Sequence, residues 1–130
     1  MYKKIILSFL LIFCLVGCTA AQPSKEEAKK TIEQPYIKAV WLSYYELSSF
    51  TEDNDEAHFK KSISKAFKTL SSKGFNRVTV QVRPFADAFY KSDYFPVSSY
   101  CFGQQGSELL YDPLSIMVEA AHKYNMSIEA

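Results

Sequence analysis

Val78-Thr79-Val80-Gln81-Val82-Arg83-Pro84 is the stretch on which the fold turns. Three valines alternate with three polar residues, the period of two that a strand imposes, and Pro84 lacks the amide hydrogen that would continue a ladder. A strand is therefore expected over Phe75–Pro84. With its valines packed on helices, Thr79, Gln81 and Arg83 point to the opposite face, and Arg83 stands at the C-terminal end. Upstream, Phe59, Ile63, Ala66, Phe67 and Leu70 recur at spacings of three and four, with Lys60, Lys61, Ser64, Lys65 and Lys68 between them. This spacing predicts an amphipathic helix over Asp55–Lys73, with acids in its first turn and Gly74 where a left-handed cap belongs. Further upstream, Ile37–Tyr45 is a nearly continuous apolar run, which suits a strand covered on both faces.

Downstream, Asp112-Pro113 is an N-cap followed by proline at the first helical position, and Leu114, Met117, Val118 and Ala121 form one stripe that ends near Asn125. Met126–Ala130 opens a third strand. Strand, helix, strand, helix, strand is the order of parallel βαβ units. The class is α/β, closing either as an open doubly wound sheet or as an eight-stranded barrel. A nucleotide-binding open sheet wants a glycine-rich turn after its first strand, whereas Ser43–Ser49 contains no glycine. The barrel is favoured, as the β1α1β2α2β3 opening of a (β/α)8 fold.

The 130 residues are 48% hydrophobic and 22% charged, with 15 basic against 14 acidic side chains and a net charge of +1. These values exclude a disordered tail, a collagen and a polybasic nucleic-acid binder. The N-terminus is a separate matter. Lys3-Lys4 precede an apolar run of 11 residues, Ile5–Leu15, broken only by Ser8 and Cys14, where a membrane span needs roughly 20. Leu15-Val16-Gly17-Cys18 resembles the lipobox of bacterial lipoproteins, which implies cleavage before Cys18 and lipidation of that cysteine. The alternative is an ordinary secretion signal with a chance cysteine. Removal of residues 1–17, which carry two of the lysines, would leave 113 residues with 13 basic and 14 acidic side chains. The polar stretch Thr19–Pro35 reads as a solvated tether. The expected organisation is a signal peptide over 1–17, lipidated cysteine and tether over 18–35, and an incomplete barrel over 36–130. Cys101 is then left without an intramolecular partner and reads as a packing residue rather than a nucleophile, since neither histidine lies near it in sequence.

In a parallel barrel the site is built from loops at the C-terminal ends of strands. The loop from Pro84 to Tyr111 is 28 residues long and holds Phe85, Phe89, Tyr90, Tyr94, Phe95, Tyr100, Phe102 and Tyr111, eight of the chain's 20 aromatic residues, with Asp87, Asp93 and Glu108. Flat rings pack against the C–H faces of sugars, while carboxylates and Arg83 hydrogen-bond hydroxyls. Alternatively, the rings form a satellite core of the loop itself. His58 and His122 fall on helices, away from strand ends, so no metal site and no cofactor is expected.

Ala39-Val40-Trp41-Leu42-Ser43, Gly74-Phe75-Asn76, the run from Val80 to Tyr90, Tyr94-Phe95-Pro96-Val97-Ser98 and Tyr111-Asp112-Pro113-Leu114 together resemble the glycosyl hydrolase-like family 10 proteins, many of them bacterial lipoproteins. The resemblance covers about Tyr36–Ala130 and is most specific at Gln81-Val82-Arg83-Pro84 and the loop after it. It implies a (β/α)8 barrel that hydrolyses O-glycosidic bonds, with peptidoglycan-derived glycans as the substrate class. Such hydrolysis uses two carboxyl groups, roughly 5–5.5 Å apart for retention or roughly 6.5–9.5 Å for inversion. Asp87 and Glu129 are the catalytic candidates, Glu46 also lies near a strand end, and Asp112 is discounted as a helix cap. Tyr44, Gln81, Arg83, Asp87 and Tyr90 are expected to bind substrate, with Asp87 beside Arg83 staying ionised to position sugar hydroxyls.

A barrel takes about 250 residues, whereas Tyr36–Ala130 supplies 95 and three strands. The chain therefore reads as the N-terminal fragment of a longer hydrolase, inactive alone. The expected partners are a glycan substrate and a membrane reached through the lipid anchor, with no nucleic acid and no obligate protein partner. Its expected place is the extracytoplasmic face of the cell membrane. The competing reading is a lipid-anchored carbohydrate-binding protein without chemistry.

Overall fold

The computed structural model describes residues 36–130. The expected signal peptide, Cys18 and the tether lie outside the described residues. Three parallel strands, β1 (Ala39–Leu42), β2 (Arg77–Val80) and β3 (Ser127–Glu129), form one sheet in the order β1-β2-β3. Helix α1 (Tyr44–Thr51) and helix α2 (Glu56–Ser72) lie between the first two strands, and the short α3 (Ser99–Phe102) and α4 (Pro113–Lys123) between the last two. This α/β arrangement is compatible with the opening of an eight-stranded barrel.

The two long helices begin where their caps dictate. The Asp55 carboxylate accepts from the backbone N–H groups of Ala57 (2.7 Å) and His58 (3.2 Å), and Glu56 pairs with Lys60 one turn on (2.6 Å). At the other end Gly74 takes φ +80°, the left-handed conformation that lets the chain leave the helix. Helix α4 starts at Pro113 with Asp112 Oδ1 accepting from Ser115 N–H (3.1 Å). The apolar stripes then meet the sheet. Phe59, Ile63 and Phe67 of α2 and Met117, Ala120 and Ala121 of α4 are buried in one core with Val78, Val80 and Val82. Each fully buried large apolar side chain contributes about 1.5–3 kcal/mol before chain entropy is set against it.

The first strand departs from expectation. It spans Ala39–Leu42 rather than Ile37–Tyr45, and the residues from Tyr44 onward coil into α1. The cause is a capping box: Ser43 N–H donates to Glu46 Oε2 (2.9 Å), the two side chains are hydrogen-bonded, and the Ser43 hydroxyl oxygen accepts from Tyr45 N–H (3.3 Å). Nor is the strand covered on both faces. Val40 and Leu42 pack on the core, but Trp41 is 62% exposed. The second strand is shorter than Phe75–Pro84, although Gln81 N–H still donates to Leu42 O (2.9 Å) and prolongs the ladder by one bond.

The long loop is ordered by its own backbone. Ala88 and Val97 form a parallel bridge in which Ala88 N–H donates to Pro96 O and Ser98 N–H to Ala88 O, each at 2.9 Å. Phe89 N–H reaches back to Val82 O (3.0 Å), tying the loop to the end of β2. Phe89, Cys101, Phe102 and Tyr111 join the core, whereas Phe85, Tyr94 and Tyr100 stay at the surface. The loop's rings thus divide between packing and exposure.

Candidate functional site

Register decides which side chains share the open face of the sheet. Ala39 pairs with Arg77, Trp41 with Thr79, Arg77 with Ser127 and Thr79 with Glu129. Paired residues in a parallel sheet project to the same side, so Trp41, Arg77, Thr79 and Glu129 face away from the helices. Continuing the alternation past Val80 and Val82 puts Gln81 and Arg83 on this face too, in agreement with the burial of all three valines of that stretch. A hollow of about 700 Å³ lies over the face, lined among others by Trp41, Gln81, Arg83, Tyr90 and Glu129.

Glu129 sits lower in this hollow than the sequence suggests. It is level with Thr79, four residues short of Arg83, or roughly 13 Å along the strand direction at about 3.3 Å per residue. Its carboxylate is occupied on both sides: Arg77 Nη1 lies 2.8 Å from Oε1, and the Thr79 hydroxyl donates to Oε2 (3.3 Å). Arg77 Nε in turn donates to Ser127 Oγ (3.1 Å), so the group forms a network across β2 and β3. Proton delivery to a leaving oxygen would require one of these bonds to open. In this geometry the Glu129 carboxylate ties β3 to β2 through Arg77 and Thr79.

Asp87 and Arg83 do not come together as expected. Asp87 is 1% exposed, and its Oδ1 accepts from Phe85 N–H (3.2 Å), closing the tight turn in which Ala86 takes φ +57°. The Arg83 guanidinium lies over the Phe95 ring instead, 3.6 Å from its centroid, an exposed cation stacked on an aromatic face. Arg83 therefore keeps its hydrogen-bond donors at the rim, while Asp87 fastens the loop from within. Glu46 is likewise used structurally, in the cap of α1.

Tyr44 is the first residue of α1 and packs edge-on against Phe85 (5.2 Å between centroids) and Tyr100 (4.7 Å). Tyr90, half-buried, lines the hollow together with Gln81 and Arg83. Of the residues expected to bind substrate, Gln81, Arg83 and Tyr90 are brought together in the hollow, while Tyr44 belongs to an aromatic group beside it and Asp87 lies inside the loop. Trp41 was not foreseen as a site residue. Its alternation with Val40 and Leu42, aligned on that of the second strand, was the signal that could have placed it on the polar face.

Cys101 is buried, and its thiol is pushed up to about 12, first by burial and then by the negative charges of Asp112 and Asp87. A thiol so held is not a nucleophile at neutral pH. His58 pairs with Asp53 at the surface, at the start of α2. Among the described residues no three His, Cys, Asp or Glu side chains gather to hold a metal ion, and no helix is long and apolar enough to cross a membrane.

The family described as Glycosyl hydrolase-like 10 matches residues 36–130. The chain is 44% identical to Glycosyl hydrolase YngK of Bacillus subtilis over 98% of its own length and 25% of that protein. It is 38% identical to Glycosyl hydrolase DigH of Escherichia coli K12 over 47% of its own length and 14% of that protein. The chain thus spans a quarter or less of these curated relatives.

Proposed function

The chain belongs to the glycosyl hydrolase-like 10 family, and from that premise we propose that it supplies the opening β/α units of a (β/α)8 glycoside hydrolase acting on peptidoglycan-derived glycans. The observation that carries this reading is the polar face of the sheet, where Gln81, Arg83 and Tyr90 converge at the C-terminal end of β2, the end at which barrel enzymes hold substrate. Arg83 and Gln81 hydrogen-bond sugar hydroxyls, and Trp41 and Tyr90 supply flat apolar surface beside them. On this reading the cleaving carboxylates come from the part of the barrel beyond this chain; in keeping with it, Asp87 is enclosed and Glu129 is paired with Arg77 and Thr79. The chain alone binds glycan without cutting it. Cys18, in its lipobox-like setting, anchors the protein by a lipid to the extracytoplasmic face of the cell membrane.

The test is to co-sediment the full chain with insoluble peptidoglycan and to assay the supernatant for new reducing ends. Wild type is expected to sediment, Arg83→Ala to bind about tenfold more weakly, equivalent to about 1.4 kcal/mol, and no reducing ends to appear. Failure of the wild type to bind overturns the glycan reading. Release of reducing ends by the chain alone overturns the assignment of cleavage to the remainder of the barrel. The pairing of Glu129 with Arg77 and Thr79 favours one second reading, a lipid-anchored carbohydrate-binding protein without chemistry. A longer chain that completes the barrel separates the two, since on this second reading it too releases nothing.

A further inference from the structure

Beside the hollow, three rings from three different elements meet at the C-terminal ends of β1 and β2. Phe85 and Tyr100 lie nearly parallel, 26° between planes with centroids 5.6 Å apart, and Tyr44 packs edge-on against both. These are not loosely placed surface residues. Phe85 is held by the enclosed Asp87, which accepts its backbone N–H, and by a turn in which Ala86 is kept in the left-handed region that non-glycine residues avoid. Tyr100 is held from two sides: its N–H donates to Oγ of the fully buried Ser98 (3.2 Å), and its carbonyl accepts from the nearly buried Thr51 hydroxyl (3.2 Å).

Even so, Phe85 is 53% exposed and Tyr100 38% exposed. Phe89 and Phe102 of the same loop are, in contrast, buried. A half-exposed ring braced in this way is the arrangement of a preorganised stacking surface, which binds without first losing side-chain freedom. Phe85 lies two residues beyond Arg83, so the surface adjoins the rim of the hollow.

We propose that Phe85, braced by the stacked Tyr100 ring and by Tyr44, forms a stacking subsite for one pyranose ring of a glycan that continues into the hollow, an assignment that rests on the carbohydrate reading above. The C–H face of a β-linked N-acetylhexosamine is the chemistry that fits, since its equatorial substituents leave one ring face apolar. The subsite holds the chain in register and takes no part in bond cleavage.

Titration calorimetry of the full chain with the β-1,4-linked tetramer of N-acetylglucosamine tests this. Phe85→Ala is expected to weaken binding at least tenfold. Phe85→Leu, which keeps apolar bulk but not a flat face, is expected to weaken it at least fivefold with an unchanged thermal midpoint. Tyr36→Ala, at the opposite end of β1, is the control and leaves affinity unaltered. Affinity within twofold of wild type in both Phe85 variants overturns the subsite while leaving glycan binding intact. A wild type that does not bind the tetramer overturns the carbohydrate reading and the subsite with it.

Discussion

Glu46 and Ser43 close a ring between the end of β1 and the first turn of α1, and the Glu46 carboxyl consequently lies below its ordinary 4.5, chiefly through the Ser43 hydroxyl and then through the Ser43 amide. A carboxyl depressed in the folded state contributes stability that is present above its unfolded value and lost as pH falls through its folded value. Glu46→Ala is therefore expected to lower the thermal midpoint at neutral pH, and the gap from wild type to close as pH drops below 4.5, as followed by circular dichroism. Ser43-x-x-Glu46 is itself a helix-start signature, but the first strand was read from its apolar run alone, through Tyr45. The fate of Asp87 was not legible in the same way. Whether a carboxylate three residues after Pro84 turns toward Arg83 or toward the Phe85 amide depends on the left-handed turn at Ala86, which no local residue preference announces.

Helix α2 shows what an element contributes when pattern and packing agree. Its stripe buries Phe59, Ile63 and Phe67 completely, and the Phe59 ring lies 5.4 Å from that of Tyr111, so removing Phe59 opens a void against both the sheet and the long loop. Phe59→Ala is expected to cost about 3–5 kcal/mol in urea unfolding, against about 1 kcal/mol for Asp55→Ala at the cap. Both long helices were readable to within a residue or two, because cap, charge bias and apolar spacing all pointed to the same boundaries. The segment from Pro84 to Tyr111 was readable only as an aromatic loop. Its parallel bridge between Ala88 and Val97 and the burial of Ser98 arise from hydrogen bonds across eight and ten residues, a pairing that leaves no periodic trace.

Taken whole, residues 36–130 form a sheet with one apolar and one polar face, and the alternation along Val78–Arg83 was sufficient to tell them apart. The contacts that unite the sheet are long in sequence, Arg77 to Glu129 among them, which is why the depth of Glu129 within the hollow emerged only from register. Among the described residues, β1 and β3 each pair on one side only, so the polar face and both edges stand open together. Trp41, the one tryptophan of the chain, stands on that face. Its position makes the protein its own optical probe, because all indole emission comes from a single ring 62% exposed beside the hollow. The free chain is expected to emit like indole in water and to shift to the blue as glycan covers the face. An emission maximum that stays fixed at saturating glycan would mean that the sugar never reaches the sheet.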